Sequence, residues 1–354
     1  MSRDNHPYYE VRYILAGVIL TACVYLAFVS AVALEQSVSR FGYVADPDGT
    51  RRFLRELAEP NFEQAGADAI KQAKGVDTFL YRAAYKAHAA RYGKPFVVGS
   101  QGIGDCVSWG FGHGCYFAAC INWQTGKAIE APLMPATESI YGGSRVEGRG
   151  RPEGGGGWSD GSFGGAAARW LSEVGGIVYR EDVGGHDLTT YSANTAKQWG
   201  YWGNGGEGDK GKLDAIAKKH PCSRVALVTD FNSAAAAIES GYPVAVCSGV
   251  GFESTRDADG FAKRGVHPWG HCMCFVSSRH ADGEGKRDGL LCLNSWGPKW
   301  IGGPKWPSDQ PDGSFWVDRR TVDAMLAGED SFAVSSESFV YRDLNHHDWL
   351  GVAP

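Results

Sequence analysis

The sequence predicts an α+β protein, with helices in the first part of the folded chain and antiparallel strands in the second. Three observations predict it. Apolar residues recur at helical spacing through VSWGFGHGCYFAACINW, KLDAIAKKH and SAAAAIESG; after Gly241 the pattern becomes short β-prone runs divided by turn formers; and no internal repeat organises the chain. The strand candidates are YPVAVCSGV, HCMCFVSSR, GLLCLNSWG and GSFWVDR.

Ahead of these elements, residues 1–12 form a short tail, and Tyr13–Leu34 is an uncharged apolar run. At 1.5 Å per residue such a run is long enough to cross a bilayer, which takes about 20 residues as a helix. One N-terminal transmembrane helix is therefore expected. Arg3 and Arg12 precede the run and it ends in Ala31-Val32-Ala33, a small-x-small pattern open to signal peptidase. An anchor leaves the rest of the chain membrane-attached and outside the cytoplasm, and a cleaved signal leaves it secreted. Residues 35–93 are charged and helix-prone and predict a helical spacer, with a pro-like segment lying over a functional site as the alternative. Residues 94–342 make the main domain, and 343–354 a tail.

Within that domain, KPFVVGSQGIGDC predicts a short strand and a glycine-rich turn that place Cys106 at the start of a helix. The glycine- and arginine-rich stretch 141–162 predicts a surface loop, and Ala166–Val174 a helix closed by Gly175 and Gly176.

With 43% hydrophobic and 21% charged residues the chain is not disordered, and a net charge of -5 with scattered Lys and Arg offers no stripe for a phosphate backbone, so no nucleic-acid partner is expected. Nine cysteines occur without CxxC pairs. Cys247, Cys272, Cys274 and Cys292 fall in strand candidates, where a thiol packs as a small hydrophobe, so no metal and no cofactor is expected. Oligomeric state is not legible.

A thiol reacts as the thiolate, which a helix N-terminus and a neighbouring imidazolium favour. Cys106 has the helix start. A base that later protonates a leaving group, and a partner that fixes its tautomer, are then needed, and His271 and Asn294 are the candidates. Gln101-Gly102 before Cys106, Gly270-His271 opening an apolar strand, and Asn294-Ser295-Trp296-Gly297 with Trp300 behind it resemble, in the same order, the motifs of the papain family of C1-type cysteine peptidases. Gly176–Arg180, Ser233–Val246 and Gly313–Val317 are similar to further stretches of that family, so the likeness covers residues 95–340.

The resemblance implies a two-lobed fold, a helical lobe with the cysteine facing a β lobe with histidine and asparagine. It implies a peptide or protein substrate and hydrolysis through a thioester acyl-enzyme. Cys106 would attack, His271 would carry the proton and Asn294 would hold the imidazole. Gln101 and the Cys106 N–H would stabilise the oxyanion, and Trp296 would cover the His–Asn pair at the substrate cleft. Gly161, Ser162 and Phe163 are expected to make backbone contacts to substrate.

There are departures from the family pattern. The Gln101–Cys106 interval is one residue short, Val107 stands where a tryptophan is usual, the cysteine shortly before the nucleophile is missing, and Arg145–Gly157 resembles an insertion at the cleft rim. Asp105, beside the nucleophile, is expected to face solvent or cap the helix, since an inward carboxylate would oppose the thiolate. His113 is expected on a helix face, and His267 and His280 lack a downstream asparagine partner. Asp105-Cys106 is also similar to the NlpC/P60 cell-wall peptidases, whose histidine follows sooner in the chain. An inactive membrane-tethered binding protein on a peptidase scaffold is the reading from another class.

Overall fold

The computed structural model describes residues 41–283 and 285–344. The expected membrane segment at Tyr13–Leu34 and the two tails fall wholly or mostly outside these residues. Among the described residues no helix is long and apolar enough to cross a membrane.

The centre of the molecule is a seven-stranded antiparallel sheet. Its order is β10 (Ser314–Asp318), β9 (Gly289–Leu293), β8 (His271–Arg279), β5 (Val244–Ser248), β11 (Phe332–Ser335) and β4 (Arg224–Leu227), with β1 (Thr78–Phe79) added on β8. β8 and β9 are buried at every position, which is why they read as continuous apolar runs rather than as alternating ones. Register brings Cys272 opposite Cys247 and His271 opposite Ser248. Two small hairpins stand apart: β2 (Asp182–Val183) with β3 (His186–Asp187), and β6 (Phe252–Arg256) with β7 (Ala262–Arg264).

The helices in chain order are α1 (Pro47–Leu54), α2 (Phe62–Ala65), α3 (Ala67–Gln72), α4 (Tyr81–Tyr92), α5 (Cys106–Gln124), α6 (Thr137–Arg145), α7 (Gly164–Arg169), α8 (Ala193–Trp202), α9 (Lys212–Ala217), α10 (Phe231–Glu239) and α11 (Arg319–Leu326). α7 runs on into a wider turn over Trp170–Val174. α5 lies on β8, β5 and β11 and is buried on all sides, as a helix apolar all round must be. Its glycines make the approach possible, since a Cβ on Gly110 would stand 2.7 Å from the Cys272 sulfur and one on Gly114 would stand 2.8 Å from Val334. α5 divides two hydrophobic clusters. Cys106–Cys115 joins the one built with α6, α7 and the end of α1, and Tyr116–Ile121 the one built on β8, β9, β10 and α4.

Three sequence expectations change here. The described part of 35–93 does not stand apart as a spacer: β1 pairs with Ser277 and Ser278 of β8, and α4 buries Tyr81, Ala84 and Ala87. The stretch 94–99 forms no strand, and only Ser100 makes a bridge there, to Trp296. The start of the glycine-rich stretch is a buried helix, because Gly142 and Gly143 let α6 touch Asn204 and Trp170, where a side chain would collide.

Candidate active site

Cys106 is the first residue of α5 and is wholly buried. The preceding turn is held amide by amide. Gln101 N donates to Ser295 O at 2.8 Å, Gly102 N to the Tyr191 hydroxyl at 3.1 Å, Gly104 N to Asp160 Oδ2 at 3.0 Å and Asp105 N to Ile103 O at 2.8 Å. The Cys106 sulfur accepts the N–H of Cys272 at 3.4 Å, so the helix start meets the strand that begins at His271. A second N–H, from Gly42, also reaches this sulfur. Burial pushes the thiol pKa up, with Cys272 and Asp105 adding to the rise and the two N–H groups opposing it. In this state the sulfur is a thiol.

His271 is also fully buried, and its Nε2 lies 2.7 Å from Asn294 Oδ1. The same oxygen accepts the Ser295 N–H at 2.7 Å, which identifies it as an acceptor and places the imidazole proton on Nε2. In the neutral ring, Nδ1 is then the basic nitrogen. Trp296 lies tilted over the imidazole at 4.6 Å, with Phe41 and Trp269 at 6.2 and 6.3 Å. Gln101 is tied to the same motif: its Oε1 accepts from Ser295 Oγ at 2.6 Å, and its Nε2 donates to Ile103 O at 2.8 Å.

Of the three expected substrate contacts, Ser162 alone pairs its backbone with the segment beside Cys106. Its N–H donates to Gly42 O at 2.8 Å and its C=O accepts from Val44 N at 2.9 Å. Gly161 is consumed internally, its N–H on the Tyr141 hydroxyl and its carbonyl on Arg145. The Phe163 carbonyl starts α7, and its ring lies under the Arg149 guanidinium at 4.6 Å.

Asp105 departs from expectation. It is fully buried, occupies the position before α5 without a side-chain capping bond, and accepts at Oδ2 from the Tyr191 hydroxyl at 2.9 Å and Trp109 Nε1 at 3.3 Å. Burial raises its pKa to about 8, so the carboxyl stays neutral below that pH and the objection to an inward carboxylate does not arise. His113 lies on α5 as expected, on a buried face, and burial holds its pKa down at about 4. Eight cysteines of the described residues are free and buried.

The sequence offered a pro-like segment within residues 35–93 only as the alternative to a spacer, and did not single out the residues that lie against Cys106. Phe41–Val44 lies between Ser162 on one side and Gly270, whose carbonyl accepts the Tyr43 N–H at 2.9 Å, on the other. Gly42 is pressed so closely on Gly104 that an added Cβ would fall 1.8 Å from its carbonyl oxygen. The Tyr43 hydroxyl hydrogen-bonds to Asp330, a buried carboxyl that also accepts from Gly164 N at 2.8 Å, Gly165 N at 2.7 Å and Thr50 Oγ1 at 2.7 Å. An aromatic–Gly–aromatic run inside an otherwise charged, helix-prone stretch is the sequence signal for this segment. Asp330, Tyr191 and Asp160 had none, because each acts through a partner distant in sequence.

The fold is similar to that of solved cysteine proteases. Xylellain, a cysteine protease from Xylella fastidiosa, is 16% identical with a TM-score of 0.54, over 86% of this chain and 97% of its own. The proform of Amb a 11, a ragweed pollen allergen and cysteine protease, is 14% identical with a TM-score of 0.48, over 87% of this chain and 78% of its own. The first likeness shows that the chain has the papain-like two-lobed fold. No protein-family model matches the chain, and comparison with curated proteins gives no match.

Proposed function

We propose that this chain is a cysteine-type peptidase held in a latent form, with its own residues 41–44 in the substrate cleft. One observation carries the reading. The Cys106 sulfur, at a helix start, accepts the N–H next to His271, whose far nitrogen is held by Asn294. In the reaction His271 Nδ1 takes the thiol proton, Cys106 Sγ attacks the scissile carbonyl carbon, and the amine leaves with that proton. Water then hydrolyses the thioester with His271 again as base. The Cys106 N–H and the Gln101 amide stabilise the oxyanion, and Trp296 keeps water from the His271–Asn294 bond.

The latent part of the reading is supported by what faces the sulfur. Gly42 offers it an amide hydrogen while its carbonyl accepts the Ser162 N–H, so the segment is held against the nucleophile from both sides of one peptide. Because Gly42 has no room for a Cβ, Gly42→Ala should expel the segment and raise peptidase activity of the full chain about tenfold or more.

The test is hydrolysis of a peptide library by the full chain, Gly42→Ala and Gly42→Ala with Cys106→Ala, with mass spectrometry of the N-terminus. Hydrolysis that survives loss of Cys106, or none from the folded Gly42→Ala chain, sinks the proposal. Membrane attachment through residues 13–34, with the domain outside the cytoplasm, or secretion after cleavage, belongs to the same proposal. Alkaline carbonate extraction together with the mature N-terminus separates the two.

A further inference from the structure

The turn from Gln101 to Cys106 carries both oxyanion donors of the proposed mechanism and is one residue shorter than the pattern it resembles. A short turn with two glycines does not hold two donors at a fixed spacing unless something outside it does so. Two side chains from elsewhere in the chain meet it. Asp160 Oδ2 accepts the Gly104 N–H at 3.0 Å, and the Tyr191 hydroxyl accepts the Gly102 N–H at 3.1 Å while donating to Asp105 Oδ2 at 2.9 Å. Trp109, one helical turn into α5, donates to that same Asp105 oxygen at 3.3 Å. One hydroxyl thus joins the start of the turn to its end, and the acceptor it uses is anchored to the nucleophile's helix. Asp105 Oδ1 has no protein partner and is buried, so the carboxyl stays in place for what Oδ2 holds, against the cost of its own desolvation.

We propose that Tyr191 and Asp105 are positioning residues for catalysis. They close the shortened turn into a fixed loop that sets the Cys106 N–H and the Gln101 amide where charge develops on the substrate oxygen. The proposal rests on the peptidase reading. The structure gives it a pH consequence as well. Facing the Asp105 carboxyl are Cys106 and Trp109 of α5, Glu138 and Tyr141 of α6, and Tyr191, with Arg180 paired to Glu138 behind them at 2.9 Å. Neutral Asp105 leaves the thiolate unopposed; ionised Asp105 adds a negative charge one residue from it. With its pKa raised by burial to about 8, the rate falls above that pH.

The experiment uses the full chain carrying Gly42→Ala. Adding Tyr191→Phe removes both bonds of the hydroxyl and is expected to lower kcat about thirtyfold, with KM within about twofold, a loss below that of a whole oxyanion donor. Alkylation of Cys106 by iodoacetamide, which needs thiolate and access but no oxyanion site, stays within about twofold. Asp105→Asn keeps an acceptor oxygen for Tyr191, so kcat at pH 6 falls only about threefold, and the alkaline decline disappears. A kcat loss under threefold for Tyr191→Phe, a parallel fall in alkylation, or an alkaline limb retained in Asp105→Asn overturns the proposal. Should Tyr191→Phe fail to fold, Asp105→Asn decides by its pH profile. If the Gly42→Ala parent hydrolyses no peptide, the peptidase reading fails first and this inference with it.

Discussion

The two halves of the cleft are built differently. His271 and Asn294 sit at the ends of β8 and β9, adjacent strands of one ladder in which Cys274 pairs with Leu293 and Phe275 with Cys292. Cys106 sits at a helix start and Gln101 and Ser162 on turns, held where long-range side chains bond to backbone: Arg145, Asp160, Tyr191 and Asp330. A ladder spreads the work over many equal bonds, whereas a side-chain hub concentrates it. The hub half should therefore break at single residues and respond to pH, and the ladder half should do neither.

The largest effect is expected at Arg145. Its guanidinium is buried and donates to the carbonyls of Gly156, Gly157, Gly161 and Gly200, and to the Tyr141 hydroxyl. Arg145→Ala strands these acceptors and should cost about 4 kcal/mol in urea unfolding. A loss under about 1 kcal/mol would remove the hub from the account.

Next comes the seam between the halves. Gly110→Ala places a methyl 2.7 Å from the Cys272 sulfur and 2.8 Å from the Met273 carbonyl, so α5 must move off β8, at a cost of about 2 kcal/mol. Peptidase activity should fall further than stability, because the shift separates Cys106 from His271. Equal activity in the folded variant contradicts this.

The pH response sharpens the comparison. Asp105 and Glu147 are raised by burial to about 8 and Asp330 to about 7, all three in the hub half. In the unfolded chain these groups lose their protons near pH 4, so the stability they give is complete below that and is lost as pH rises towards 8. His88 and His113, lowered by burial to about 4, act in the opposite sense, their contribution being lost as pH falls from about 6.5. The three carboxyls outweigh the two histidines above pH 4, so melting temperature should fall as pH rises from about 4.5, most steeply between pH 6.5 and 8. Asp330→Asn should flatten the alkaline side, and a midpoint still rising between pH 6.5 and 8 would refute the assignment.

The smallest effect is at Tyr43. Tyr43→Phe withdraws one hydroxyl from Asp330 and should lower stability by about 1 kcal/mol, a few degrees in a thermal scan, while loosening the cleft segment. Increased peptidase activity without an external activator is the accompanying sign, and unchanged activity would separate Asp330 from latency.

The same division governs what could be read without coordinates. β5, β8, β9 and β10 were legible because strands buried on both faces demand unbroken apolar runs. α5 was legible from its helical spacing, and its three glycines became intelligible only once β8, β11 and α6 were seen against them. α8 lay hidden in a polar, glycine-rich stretch, since it buries only Ala196, Trp199 and Gly200 and leaves little apolar pattern to detect.

By itself the sequence determined the order of the candidate groups Cys106, His271 and Asn294, and the periodicities that set the first at a helix start, the second at a strand start and the third just past a strand's end, since residue type and local spacing are properties of the chain. Tertiary structure alone decided that Asp105 turns inward, that Arg145 gathers a loop rich in glycine, and that Phe41–Val44 lies across the nucleophile. Each of these depends on hydrogen bonds between residues far apart in the chain, whose directions exist only once the backbone has closed around them.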